Sequence, residues 1–396
     1  ILKYYQQRTE PMYDAAKKAF LKNGKDLYEP GELWKQPDLA ATLKRIQKDG
    51  KKGFYEGKTA KLIADFMKKY GGLITEEDLA KYEAVEQPAV HGTYRGYDVY
   101  AMSPPSSGGV ALVEMLHILE GYNLKEIGHN SALYLHLLTE AMRRAYADRA
   151  QHLGDPAFNP DMPIERLTSK AYADKLRATI DWFKASPSDS SKFNAALLGY
   201  ESPETTHFSV VDAEGNAVSL TYTLEYGYGS RLVVEGAGFL LNNEMGDFNP
   251  IPGKTTRTGL IGTDPNLVAP GKRMLSSMTP TIVAKDGKPV LVIGSPGGRT
   301  IINTVLQVVL NIIDHGMNVA QAVEAPRIHH QWLPDMTSFE RWGISPDTRK
   351  LYEMMGHPVR EIGEQGSAMG IFIDPKTGLI YGAADSRAFD GKAVGH

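Results

Sequence analysis

The chain has 396 residues, enough for one large or two ordinary domains around a sizeable core. Hydrophobic residues at 42%, charged residues at 23% and a net charge of −3 describe a globular protein and exclude a polybasic nucleic-acid or membrane surface. Cysteine is absent, which excludes a thiol nucleophile, a disulfide and a thiolate metal site.

The opening, ILKYYQQRTEPMYDAAKKAF, has no initiator Met and no apolar signal core, and it starts in mid-pattern. Leu39, Leu43 and Ile46 at helical spacing predict a helix over 38–50, and the same logic predicts one from Lys58 to Gly71. Thr75 and Asp78 form a Thr-x-x-Asp cap for a further helix. Alternating aromatics predict strands over 91–102, followed by a turn at 104–109, a helix through Leu119 and a long amphipathic helix over 131–155. The composition then shifts to SPSDSSK at 186–192, which reads as an exposed, cleavable linker. The second half reads as strand-rich up to Gly294, with a hairpin turning at Asp286–Gly287. A buried helix follows to Gly316, and a last hairpin lies near the C-terminus. The apolar stretch of that helix, at 301–313, is too short to cross a membrane.

The segment ESPETTHFSVVDAEGNAVSLTYTLEYG holds the most informative hairpin. Gly215 sits where a three-residue loop requires a left-handed residue, so facing residues have numbers summing to 428. Thr205 then lies opposite Thr223, and Thr221, Thr223 and Glu225 share one strand face, away from Val218, Leu220 and Tyr222. Threonine pairs are ordinary in sheets. A threonine hydroxyl becomes nucleophilic when a base stands beside it, and a cut after Glu204 would give Thr205 its own amine as that base.

Acyl transfer by a hydroxyl also needs oxyanion donors, and GSPGGRT places Gly297 and Gly298 between a strand and a helix N-terminus, where in isolation a simple strand-to-helix turn is the more common meaning. No Gly-Lys-Ser/Thr follows, and Ser295 precedes Pro296, so neither a phosphate loop nor a nucleophile elbow is present. Glu244 and Asp247 lie three apart on a loop after an apolar segment read as a strand, and two carboxylates so placed suit either a cationic amine or plain solvation. Ser276 and Ser277 precede a strand and suit a carboxylate. His329 and His330 are adjacent and lack metal-ligand spacing, so no metal and no cofactor are expected.

These residues carry a family resemblance. ETTHFSVVDAEGNAVSLTYT, GFLLNNEMGDF, RMLSSMTPTIV, GSPGG and APRIHHQW resemble the small subunit of γ-glutamyltranspeptidases, while GGLITEEDLAKYEAVEQP, YRGYDVYAMSPPSSGG and AYADRAQHLGDPAF resemble the large subunit. The resemblance covers nearly the whole chain. It implies an α+β fold, the four-layer αββα sandwich of N-terminal-nucleophile hydrolases, with residues 1–204 as large-subunit portion and 205–396 as small-subunit portion, intertwined. It further implies self-cleavage between Glu204 and Thr205, with Thr205 as nucleophile, Thr223 hydrogen-bonded to it, and Gly297 and Gly298 as oxyanion donors. Glu225, Glu244 and Asp247 match residues that hold the glutamyl α-amine, and Ser276 and Ser277 those that hold its α-carboxylate.

The implied substrates are γ-glutamyl compounds such as glutathione, with amino acids or peptides as acceptors. The implied assembly is a heterodimer of the two cleaved portions, outside the cytoplasmic membrane. Glu225 stands where many members carry Asn, and residues 252–266 resemble a lid loop with Thr258 near the place of a tyrosine found in some. Family large subunits begin upstream of any match to Ile1, with a segment supplying sheet structure and a substrate-binding arginine, so a truncated front and an incomplete sheet are expected, with a complete C-terminus. A related cephalosporin or glutaryl acylase, or an uncleaved binding protein, are the competing readings.

Overall fold

The structure is a computed structural model, and it describes residues 14–188, 205–388 and 390–395. Glu204 and most of the 186–192 linker lie outside the described residues. The chain divides into two units, one of residues 1–86 with 226–243 and one of 87–225 with 244–396.

The first unit is helical. Helices Asp14–Phe20, Pro37–Asp49, Gly57–Tyr70 and Glu76–Lys81 are its main elements. The Thr75–Asp78 capping box forms as the sequence predicts, and Gly71 ends its helix in the left-handed conformation that glycine adopts freely. Ile63 and Phe66 pack on Val234 and Ala237 from the 226–243 excursion, and the Thr42 hydroxyl donates to the Ala237 carbonyl at 2.8 Å.

The second unit is built on a six-stranded antiparallel sheet. Its strands are β1 (Val90–Tyr94), β2 (Tyr97–Ala101), β5 (Thr281–Lys285), β6 (Lys288–Gly294), β10 (Met369–Ile373) and β11 (Ile380–Ala384), in the order β1-β2-β5-β6-β10-β11. Helices Gly108–Glu120, Ala132–His152 and Thr300–Ile313 are buried along most of their lengths, and their side chains merge with Val99, Val283, Leu291 and Ile293 into one core. A small sheet of β7 (Ile328–His329), β8 (Thr337–Glu340) and β9 (Val359–Ile362) stands beside them.

The remaining hairpin, β3 (Thr206–Val211) with β4 (Ala217–Tyr222), has the expected register: Thr206 faces Tyr222 and Val211 faces Ala217. Gly215 takes φ 84° in the turn, and Asn216 is tied to the Asp212 carboxylate through its backbone N–H at 2.8 Å. Its hydroxyl face, not its apolar face, meets the six-stranded sheet. Ser209 Oγ lies 3.1 Å from the Met369 carbonyl, and Ser219 Oγ donates to the Ile293 carbonyl at 2.9 Å. The outer face, with Phe208, Val210, Val218, Leu220 and Tyr222, is left 37–56% exposed.

Two expectations need correction. Residues 223–280 hold no regular strand; the apolar strand expected before Glu244 is only an isolated bridge between Val233 and Leu240. Farther along, side chains replace ladder partners, as where Asn249 Nδ2 donates to the Thr263 carbonyl and Asn266 Nδ2 to the Asp247 carbonyl, both at 2.7 Å. The described start of the linker is also not loose. The Ser186 N–H donates to Glu140 at 3.0 Å, the Ser188 N–H to Asp335 at 2.8 Å, and Arg143 holds both Ser188 and Asp335.

Candidate active site

Thr205 stands one residue before β3 and Thr223 one residue after β4, the next positions along the observed register. Together with Glu225, Asp247, Ser276, Ser277 and Gly298 they line one cavity, completed by Met278 and Ile301. The cavity is ≈ 30 Å³, room for about one water molecule. A larger groove of ≈ 590 Å³ lies in the first unit, lined by Lys18, Lys35 and Glu235 among others, and contains none of the predicted site residues.

Glu225 reaches the cavity by leaving the strand. It takes φ 72°, a left-handed conformation uncommon for a non-glycine residue, and its N–H donates to Thr223 Oγ1 at 2.8 Å. Its side chain is buried rather than aligned with Thr221 on a continuing strand. Asp247 arrives on the short 3-10 turn Glu244–Asp247. Glu244 occupies the same turn but is not part of the cavity lining; burial lifts its carboxyl to about 7.

Gly297 and Gly298 form the turn between β6 and the Thr300–Ile313 helix. Gly298 lines the cavity, and Gly297 is buried beside it with φ 139°, a value that favours glycine. A methyl group there would come within 2.5 Å of Thr300 Oγ1. Thr300 Oγ1 donates to the Gly297 carbonyl at 2.7 Å, and Ser295 Oγ donates to the Pro296 carbonyl at 2.6 Å while accepting the Ser367 N–H at 2.8 Å. The turn is thus held from both flanks.

Three supporting residues escaped the sequence reading. His207 shares the inward face with Thr205 and bonds Thr221 Oγ1 at 2.8 Å and Ser209 Oγ at 3.1 Å; burial lowers its pKa to about 4, so the ring is neutral at pH 7. The i, i+2 spacing from Thr205 was the available signal. Ser107 and Arg149 come from the Gly108–Glu120 helix cap and the Ala132–His152 helix, and Arg149 donates to Ser107 Oγ at 2.8 Å and Ser277 Oγ at 2.9 Å. The SSGG motif pointed only to a turn.

His329 and His330 are buried and hydrogen-bonded separately, to Gln331 at 2.8 Å and Asp335 at 3.1 Å. Elsewhere His136, Glu140 and His357 bring possible ligand atoms within 4.8 Å of one another. Those atoms serve other partners: the two rings bond each other at 2.7 Å, and Glu140 is paired with Arg143 and Arg144, whose charges oppose a cation. In the 252–266 segment Thr258 bonds Thr256 at 2.9 Å, and the Gly253 N–H donates to the Gly262 carbonyl at 2.7 Å.

The profile of the family described as gamma-glutamyltranspeptidase matches residues 2–395. The chain belongs to the gamma-glutamyltranspeptidase family. Within it, the chain is 49% identical over 395 residues to a glutathione hydrolase proenzyme of Escherichia coli (strain K12), covering 100% of this chain and 67% of that protein. It is 45% identical over 377 residues to a glutathione hydrolase proenzyme of Pseudomonas sp. (strain A14), covering 93% and 65%. The chain therefore spans about two thirds of the length of these family members. Among solved structures, it resembles a cephalosporin acylase from Bacillus halodurans with TM-score 0.82 and 26% identity, covering 99% of this chain and 68% of that one. That likeness and the antiparallel sheets agree with the α+β, N-terminal-nucleophile hydrolase fold expected from sequence. No helix of the described residues is long and apolar enough to cross a membrane.

Proposed function

We propose that this chain is a γ-glutamyltransferase/glutathione hydrolase proenzyme with Thr205 as its nucleophile. The observation that carries the reading is the single cavity in which Thr205 meets Thr223, Glu225, Asp247, Ser276, Ser277 and Gly298. Those groups suit one ligand: carboxylates for an α-ammonium, hydroxyls for an α-carboxylate, and a backbone turn at a helix start for an oxyanion.

In the maturation step Thr205 Oγ attacks the Glu204 carbonyl carbon. The C–N bond breaks as the acyl group passes from nitrogen to oxygen, and water hydrolyses the resulting ester. The freed Thr205 amine then serves as base in catalysis. It takes the hydroxyl proton as Oγ attacks the γ-carbonyl of a donor such as glutathione, and passes that proton to the departing amine. Gly297 and Gly298 N–H groups stabilise the tetrahedral oxyanion, and Thr223 orients the nucleophile. Glu225 and Asp247, which line the cavity, hold the donor ammonium, and Ser276 and Ser277 its carboxylate. Water or an amino-acid or peptide acceptor then takes the γ-glutamyl group from the ester. The two cleaved portions, 1–204 and 205–396, stay together as a heterodimer in a periplasmic or extracellular setting.

The likeness to a cephalosporin acylase favours a second reading, in which the acyl group lacks an α-amine. Glu225 and Asp247 weigh against it, because an acyl group without an α-amine offers these two carboxylates no ammonium to bind. Hydrolysis of a γ-glutamyl anilide, compared with a glutaryl anilide, decides between the two. Preference for the γ-glutamyl compound supports the proposal; a glutaryl preference overturns it in favour of the acylase, and no turnover of either, with an uncleaved chain, favours a binding protein.

A further inference from the structure

The strand that leads into the Gly297–Gly298 turn ends for a chemical reason. β6 pairs with β10 as far as Gly294, which faces Met369. Pro296 follows two residues on and has no N–H to give, so the ladder stops. The buried Ser295 takes over with its side chain: Oγ accepts the Ser367 N–H at 2.8 Å and donates to the Pro296 carbonyl at 2.6 Å. Gly366 permits this approach, since a methyl group on it would lie 3.0 Å from Ser295 Oγ and 2.4 Å from Thr304 Oγ1. The next carbonyl is held from the helix side. Gly297 O accepts from Thr300 Oγ1 at 2.7 Å and from the Thr300 N–H at 3.1 Å.

These two carbonyls matter because of what shares their peptide groups. The Pro296 C=O and the Gly297 N–H belong to one peptide, and the Gly297 C=O and the Gly298 N–H to the next. Both peptides are trans, so each is planar with its carbonyl and its N–H pointing in opposite directions. Fixing the oxygen therefore fixes the direction of the N–H across the same plane. The glycines need such support: at φ 139° and 56° they hold conformations that suit glycine, and glycine also leaves them easily. A hydrogen bond accepted at the carbonyl further polarises the peptide, which makes its N–H a stronger donor.

We propose that Ser295 and Thr300 are positioning residues for the oxyanion, each aiming one glycine amide by holding the carbonyl at the far side of its peptide plane. Both act through the backbone and not on the donor itself. The inference rests on the reading that the Gly297 and Gly298 N–H groups receive the oxyanion. The two supports are unequal. Gly297 O keeps the Thr300 N–H when the hydroxyl is lost, whereas among the described residues only Ser295 donates to the Pro296 carbonyl.

The test is steady-state hydrolysis of γ-glutamyl-p-nitroanilide by the full chain, with rates taken per mole of chain cut at Thr205. Ser295→Ala lowers kcat about tenfold while KM stays within about twofold, because an oxyanion donor acts on the transition state and not on the bound donor. Thr300→Val lowers kcat about threefold, in line with the N–H that remains, and Thr300→Ser recovers most of that loss by restoring the hydroxyl. If Ser295→Ala does not fold by circular dichroism, or stays uncut, Thr300→Val against Thr300→Ser carries the test. A cut Ser295→Ala chain with kcat within about twofold of wild type, or equal kcat for Thr300→Val and Thr300→Ser, overturns the inference. Gly297→Ala separates it from the reading beneath. Wild-type kcat in Gly297→Ala overturns the oxyanion reading and this inference with it. An impaired Gly297→Ala beside unimpaired hydroxyl variants overturns this inference alone.

Discussion

Replacing Glu244 by Gln changes how stability depends on pH, and the size of the change follows from the burial of that carboxyl. In the folded chain its pKa rises from 4.5 to about 7 because burial disfavours the charged form. At about 1.36 kcal/mol per unit, the full shift amounts to about 3 kcal/mol against the ionised carboxylate. Glu244 is only partly buried, and halving for solvent screening leaves about 1.5 kcal/mol. Between 4.5 and about 7 the folded carboxyl binds more proton than the unfolded one, so wild-type stability falls as pH rises through that window. Above it the loss is complete. Glu244→Gln has no such group, so urea midpoints measured at pH 5 and pH 8 converge at the lower pH. The wild type loses about 1 kcal/mol more than the variant between the two. Parallel stability curves would refute the reasoning.

Two glycines give sharper structural tests. A methyl at Gly294 would lie 2.2 Å from Cε1 of His207, so Gly294→Ala destabilises the fold by about 2 kcal/mol or more, and an unchanged melting midpoint would contradict the placement of His207. Gly297→Ala forces a left-handed alanine against Thr300, displacing the turn; kcat for a γ-glutamyl anilide falls about a hundredfold while KM moves little. An Ala variant with wild-type kcat removes Gly297 from the oxyanion role.

The sequence was most readable where local chemistry alone decides the outcome. Gly215 requires its turn, the turn sets the register, and the register brings Thr205 and Thr223 to neighbouring strand ends. The capping box at Thr75 was legible for the same reason. Which face of the hairpin would be covered was not, because alternation marks two faces without saying which one meets a sheet. Glu225 lines the same cavity as Thr205 but on a backbone that the strand reading did not anticipate, since a left-handed non-glycine residue leaves little trace in sequence. Glu244 was expected beside Asp247 around the donor, yet only Asp247 lines the cavity. Arg149 lies 128 residues from Ser277, and no periodicity connects them. Such long-range pairs become visible only once the helices and loops are in place.

The proposed chemistry depends most on a new amine appearing at Thr205. Intact-mass spectrometry of the purified wild-type chain tests this directly, with Thr205→Ala alongside. The predicted result is two species from the wild type, the smaller beginning at Thr205, and one uncut species from the variant. A wild-type chain that stays whole yet turns over γ-glutamyl anilide, or a Thr205→Ala chain that splits at the same bond, would contradict it.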